Sequence, residues 1–332
     1  MSTLVQRREF ITLLGGAAAA AASPFTARAQ NIMPVVGILR PVSVDDAPRV
    51  IGPVREGLKQ AGYVEGHNVV LDSRFAENQY NALPVLAADL VRRKVAAILT
   101  PGSMPSALAA KAATSTIPIV FASGSDPVAL GLVESFNRPG ENVTGVNYFS
   151  TELAAKRLGL LHELLPSTAF IAVLTNPNNV ASEGALREVQ ASASQLGRKI
   201  EVFPARNNRE IDAAFASLVE RKATALLVVN DAVLTSRRVQ IVTLAARHTL
   251  PAIYTSREYA EAGGLMTYGT NILDAFRQTG VYAGRILKGE KPAEMPISRS
   301  TKFEFIINLQ TARTFGIEIP ASFLARADEV IE

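Results

Sequence analysis

From Met33 onward the chain alternates short, uniformly apolar runs with amphipathic stretches, and it does so twice. That alternation leaves few folds open. Strands joined through helices close right-handed βαβ units, and such units build a parallel sheet covered by helices on both faces. Val35-Val36-Gly37-Ile38-Leu39 reads as a buried parallel strand. Pro48 to Ala61 has helical spacing and stops at Gly62, a suitable helix end. Asn68 to Phe75 alternates like a strand, and Ala82 to Arg93 reads as a helix with Leu83, Leu86, Leu90 and Val91 on one side. Val95 to Leu99, Ser106 to Ala113 and Ile117 to Phe121 continue as strand, helix and strand.

The second round predicts strands over Phe170–Leu174, Lys199–Phe203, Ala225–Val229 and Leu250–Tyr254. It predicts helices over Glu183–Leu196, closed by Gly197, over Ile211–Arg221 and over Val239–His248. Two local echoes align the halves. Ala96 to Thr100 matches Ala225 to Val229, and Ile117-Pro-Ile-Val-Phe121 matches Leu250-Pro-Ala-Ile-Tyr254, each pair about 130 residues apart. The expected fold class is α/β, with two doubly wound parallel-sheet lobes. Asn142 to Thr151, followed by a helix over Glu152–Leu165, is the first expected crossover between lobes. A second is expected near Gly263 to Thr270 and a third at Phe303 to Asn308. Lobe 1 would then hold residues 30–147 and about 271–302, and lobe 2 residues 148–270 and about 303–332, joined by a three-strand hinge around a cleft.

The first 29 residues read differently. Arg7-Arg8-Glu9-Phe10-Ile11, an alanine-rich apolar run to Ala22 and the small-x-small end Ala27-Arg28-Ala29 make an export signal peptide, cleaved after Ala29. The paired arginines resemble the twin-arginine signal, with Gln6 where Ser or Thr is usual. The apolar core is too short for a membrane span, which needs about 20 residues. The expected place of work is the periplasm.

Composition narrows the partners. The 332 residues carry a formal net charge of +4, and the leader's arginines account for about half of it. A mature chain that balanced has no electrostatic footprint for nucleic acid and no basic amphipathic stretch for a membrane surface. With no cysteine there is no disulfide framework, no thiol nucleophile and no lipid-anchored cysteine.

Catalytic patterns are poor. G-x-S-x-G, the P-loop and G-x-G-x-x-G do not occur. His67, His162 and His248 are far apart and read as surface or helix-end residues rather than metal ligands, so no metal and no cofactor is expected. The informative positions follow strand ends, where open α/β sheets bind ligands. In the first half these are Thr100-Pro-Gly-Ser103 and Ala122-Ser-Gly-Ser125-Asp126-Pro127; in the second, Thr175-Asn176-Pro-Asn178, Asn230-Asp231 and Tyr254-Thr-Ser256. Hydroxyls and free N–H groups there suit a carboxylate. Asp126 and Asp231 suit an ammonium group, but equally an Asx turn before Pro127 and a helix cap. Ser103 and Ser125 are balanced between cap and ligand contact. Tyr148, Phe149, Tyr254 and Tyr268 are candidate apolar walls, with core or hinge packing as the competing role for Phe149 and Tyr148. Arg40, after the first strand, is open between an anion contact and a solvated surface.

Several stretches together resemble a known family. They are Ser125-Asp-Pro-Val128 with Gly131-Leu-Val133, Asn230 to Arg238, Pro251 to Tyr254, Ala262 to Gly269, Ala283 to Pro292, Lys302 to Asn308 and Ala327 to Ile331. The chain, from about Pro34 to its end, resembles the tryptophan/tyrosine-type substrate-binding proteins of ABC transporters. The resemblance implies the type I periplasmic binding fold, a non-enzymatic role and closure of two lobes on a small-molecule solute, an amino acid or a related compound. It implies an ABC permease of the inner membrane as partner, and a monomer. Carried over residue by residue, it implies Ser103, Ser125, Asp126, Asn176, Asp231 and Tyr254 as solute contacts; Asn147 and Tyr268, at the crossovers, complete the expected set. The competing expectations are a ligand-sensing subunit for a membrane receptor and a periplasmic enzyme.

Overall fold

The uniformly apolar runs become the central strands of two sheets, because only a strand covered on both faces repays an unbroken run of Val, Ile and Leu. The computed structural model describes residues 33–332 apart from 169 and 301; the segment read as a signal peptide lies outside them. Pro34–Glu332 is a single compact unit. Within it, the first sheet takes β1 (Val35–Arg40), β2 (Val70–Phe75), β3 (Ala97–Pro101), β4 (Ile119–Ser123) and β5 (Val143–Asn147). The second takes β6 (Phe170–Thr175), β7 (Lys199–Pro204), β8 (Ala225–Val228), β9 (Ala252–Tyr254) and β10 (Met266–Thr270). The short β11 (Ser298–Arg299) returns to the first sheet, and β12 (Phe303–Asn308) and β13 (Glu329–Ile331) to the second. The orders are β11-β5-β4-β3-β1-β2 and β13-β12-β10-β9-β8-β6-β7. All pairings are parallel except β10 with β12. The α/β class and the two doubly wound lobes expected from the alternation are present.

The helices of lobe 1 are α1 (Ala47–Gln60), α2 (Leu83–Arg92) and α3 (Met104–Ala113). Lobe 2 carries α4 (Leu153–Leu164), α5 (Ser182–Gln195), α6 (Asn208–Glu220), α7 (Ala232–Ser236), α8 (Arg238–Arg247) and α9 (Arg257–Glu261). Then α10 (Ile272–Leu287) returns to lobe 1, and α11 (Leu309–Phe315) and α12 (Ala321–Leu324) follow β12. The return of α10 depends on close backbone contact with α1. A Cβ on Gly57 would lie 1.8 Å from the Arg277 carbonyl oxygen, and one on Gly280 would lie 2.2 Å from that of Val54. Only glycine lets the two helices approach so far.

Two of the expected crossovers are also sheet strands. Met266–Thr270 and Phe303–Asn308 are strands of the second sheet, paired antiparallel with each other. The chain changes lobe just after β5, just after β10 at Asn271, and between β11 and β12. Local alternation could not separate a hinge strand from a sheet strand, because these strands are both. The three passages are tied together: Thr270 Oγ1 donates to the Tyr148 carbonyl at 3.1 Å, and Ser300 N to the Asn147 carbonyl at 2.9 Å.

Candidate functional site

The carboxyl ends of the strands in the two lobes meet across one cleft. Two hydrogen-bonded contacts cross it, beside the packing of Ala232 and Val233 of α7 into the lobe-1 apolar cluster. Tyr80 Oη of lobe 1 donates to Asp231 Oδ2 of lobe 2 at 2.6 Å. Arg49 Nη1 of α1 pairs with Glu258 Oε1 of α9 at 2.9 Å. Burial raises the Tyr148 pKa, and the nearby Asn230 side chain of lobe 2 pulls it part of the way back.

Asp231 is 1% exposed and caps α7, accepting from Leu234 N at 2.9 Å. Asn176 Nδ2 donates to it at 3.2 Å, and Asn179 Nδ2 at 3.0 Å. With Tyr80, four donors fill its lone-pair sites, and all four are neutral. The cap reading is therefore realised, and a lobe-1 hydroxyl has been added to it. Burial, then the neighbouring Asp231 charge, push the Tyr80 phenol well above its ordinary range, so it stays a donor.

A chain of charges runs along the lobe-1 wall. Arg40, at the end of β1, is 1% exposed rather than solvated. Its guanidinium bonds the Pro101 carbonyl and reaches Asp46 Oδ2 at 3.1 Å. Asp46 also takes Arg49 in a two-point contact, at 2.8 Å and 3.2 Å. Burial would raise the Asp46 carboxyl, but the two guanidiniums outweigh it and hold it below the usual carboxylate range. Burial likewise works against Arg49, and its bonds to Asp46 and Glu258 reverse the sign. Two cations and two anions make this chain neutral.

Arg157 differs. It is 1% exposed, on the apolar face of α4 with Leu153, Ala154, Leu158 and Leu161. Its Nε donates to the Tyr268 carbonyl at 2.6 Å. Nη1 donates to the Ser150 carbonyl and Nη2 to Ser150 Oγ, both at 3.0 Å. No carboxylate pairs with it among the described residues. Burial pushes its pKa down to about 9, which still leaves a full cation at neutral pH. A buried ion without a counter-charge costs several kcal/mol.

The described residues bury five charged side chains: Arg40, Asp46, Arg157, Asp231 and Glu258. All five belong to this cleft or to the hinge beside it. Hydroxyls at the strand ends are also orphaned: Thr100 Oγ1, Thr175 Oγ1, Thr255 Oγ1 and Ser256 Oγ are buried without partners, as is Arg40 Nε. Unpaired buried polar atoms are rare in native interiors, and here they gather where both lobes end their strands.

The expected contact residues divide. Ser103 caps α3 through Ser106 N at 3.1 Å. Ser125 is buried behind β4, its carbonyl accepting from Asn147 Nδ2 at 2.9 Å. Asn147 is fully buried, and its Oδ1 takes Phe149 N at 2.7 Å, shaping the first passage between lobes. Asp126 forms the Asx turn, accepting from Val128 N at 2.8 Å and Ala129 N at 3.1 Å. Asn176 lies beside Asp231 as described. Tyr254 is corrected: its ring is in the lobe-2 core, stacked on Tyr259 at 4.6 Å. Tyr268 is corrected as well. Its ring stacks on Phe303 and lines a hollow on the lobe-2 surface with Lys156 and Lys302; only its carbonyl reaches the hinge. Tyr80, Arg49, Glu258 and Arg157 were not singled out from the sequence. A signal existed for Arg157, an arginine within a helical apolar stripe; the other three are placed by contacts distant in sequence.

Known proteins share this fold and part of this sequence. A family model described as ABC transporter substrate binding protein matches residues 35–331. The tyrosine-binding protein of Clostridioides difficile (strain R20291) is 28% identical over 264 residues, covering 79% of this chain and 75% of that one. An ABC domain from Streptococcus pneumonia, solved in complex with L-Trp, is 26% identical, covers 90% of this chain and 99% of its own, and has a TM-score of 0.80. The ligand-free, open structure of a substrate binding protein with adhesive properties from Clostridium difficile is 28% identical with the same coverage, and its TM-score is 0.60.

Proposed function

The chain belongs to the ABC transporter substrate-binding protein family, and from that premise we propose that its cleft captures an α-amino acid as the zwitterion. The observation that carries the reading is the charge census. The Arg40–Asp46–Arg49–Glu258 chain neutralises itself. Asp231 and Arg157 remain, one anion held by neutral donors and one cation held by neutral acceptors. A solute carrying both an ammonium and a carboxylate compensates both as charges, the ammonium acting on Asp231 through space because its four lone-pair sites are already taken; a sugar compensates neither, and a simple acid or amine only one. The orphaned hydroxyls of Thr100, Thr175, Thr255 and Ser256 supply further hydrogen bonds. The relatives named for tyrosine and solved with L-Trp support the same solute class.

Family members bind their solute and leave it chemically unchanged. In this reading the solute enters between open lobes, and closure is stabilised by contacts that exist only when the lobes meet. Ser103, Ser125, Asn147, Asn176 and Asp231 border the captured solute. Asp126 reaches it only through the oxygen its turn leaves free. The closed form docks on an ABC permease of the inner membrane. The chain works as a monomer in the periplasm after removal of its leader, without a lipid anchor. No helix of the described residues is long and apolar enough to cross a membrane.

The test is thermal unfolding of the chain from Gln30 onward, refolded free of carried-over solute, against amino acids, organic acids, amines and sugars. An amino acid at 100 times its dissociation constant stabilises by about 2.7 kcal/mol. A shift confined to sugars or simple acids sinks the reading.

A further inference from the structure

Beside Tyr80 the two lobes frame a second hollow, about 540 Å³ in volume. Lobe 1 lines it with Asn78, Gln79 and Asn81, and lobe 2 with Asn178 and Asn207. Five carboxamides therefore face one space from both sides of the cleft. Its other liners are Tyr80 and Arg206, and no aliphatic side chain contributes. Arg206 is held by Glu210 at 3.1 Å, so the wall presents no unpaired charge. Tyr80 closes the inner end, with its hydroxyl on Asp231 at 2.6 Å.

Two details separate this space from an ordinary polar rim. Asn78 has a φ of 67°, in the left-handed region, and its Oδ1 is buried without a donor. Gln79 and Asn81 are exposed and make no side-chain hydrogen bond among the described residues. An apolar group lodged here would strip water from amides and give nothing back, a loss each unpaired group feels in full. A neutral group that both donates and accepts exchanges those water bonds for direct ones.

We propose that this vestibule is a second subsite of the cleft, taking a neutral hydrogen-bonding tail of the solute, such as a carboxamide or ureido group. The proposal rests on the amino-acid reading of the inner cleft. It makes the solute's side chain polar-ended, reaching past Tyr80 into the amide-lined space.

Calorimetry on the full mature chain tests it with matched probes: L-glutamine against L-methionine, and L-citrulline against L-norleucine. The polar-tailed member of each pair binds at least about tenfold more tightly. The double variant Gln79→Ala/Asn81→Ala closes that gap from both sides, loosening glutamine and citrulline and tightening methionine and norleucine, and keeps the wild-type unfolding midpoint. Equal or tighter binding of the apolar members overturns the vestibule, and so does a gap that survives the double variant. Binding of some other amino acid but none of these four overturns the vestibule alone, and absence of binding by any amino acid overturns the amino-acid reading with it.

Discussion

Tyr80 of one lobe donates its hydroxyl to Asp231 of the other across 2.6 Å, and that carboxylate is at the same time the N-cap of α7. A single acid thus holds its own helix, two asparagines of its own lobe and the facing lobe. Closure and local folding of lobe 2 share a residue, which sets what substitutions there do.

Tyr80→Phe removes the crossing bond and little else, since the ring stays in place. A net hydrogen bond is worth about 0.5–1.5 kcal/mol, more when its acceptor is charged. Solute affinity falls about 3- to 30-fold, through faster dissociation, while the unfolding midpoint of the unliganded protein is nearly unchanged. Stopped-flow dissociation and calorimetry check both halves of that statement.

Asp231→Ala behaves differently. It deletes a helix cap, worth about 1 kcal/mol, and strands the donors of Tyr80, Asn176 and Asn179. Both the unfolding midpoint and solute affinity fall, whereas a purely structural cap would lower the midpoint alone. Asp126→Ala loses its turn and the one oxygen left free for the solute, and affinity falls by about 0.5–1.5 kcal/mol.

The Arg49–Glu258 pair is nearly as buried as Tyr80 and Asp231, with side chains 12% and 10% exposed. Its partners lie on different lobes, so its coupling exists only in the closed state. A double-mutant cycle of Arg49→Met and Glu258→Gln, read as solute affinity, gives a coupling of about 1 kcal/mol or more. The same cycle read as unfolding of an opened, solute-free protein gives a coupling near zero.

Acid weakens the lobe-1 wall. Burial works to raise the Asp46 carboxyl, but Arg49 and Arg40 outweigh it and hold it below the ordinary aspartate value of 3.8. A depressed carboxyl contributes stability that is fully present above that value and is lost as pH falls through the folded pKa. Unfolding midpoints measured from pH 6 to pH 2 therefore drop in the wild type below about pH 4. Asp46→Asn starts lower and loses less over that interval.

The fold was legible because its strands are buried on both faces and its helices are amphipathic, so the two periods separate cleanly. The boundary at Gly62 followed from local chemistry alone, whereas Ser103 stood open in the sequence between cap and ligand contact. The strand Met266–Thr270 reads from sequence only as a passage between lobes, because its sheet neighbour β12 is remote in sequence. The site was legible only as loops. Asn176 and Asp231 stand at the ends of readable strands, and the structure brings them into contact. Tyr254 misled because its run alternates: Ile253 faces one core of lobe 2 and Tyr254 the other. Tyr80 and Arg49 carry no local mark, since their partners lie 151 and 209 residues away.

The central claim is that Arg157 and Asp231 make the cleft complementary to a zwitterion. The most direct measurement is calorimetry with the best-binding amino acid, its decarboxylated amine and its deaminated acid, on the same refolded protein. The account predicts that each truncated compound binds at least about 100-fold more weakly, a loss of about 2.7 kcal/mol or more. If either the amine or the acid binds within about threefold of the parent amino acid, one of the two buried charges is not part of solute recognition and the account is wrong.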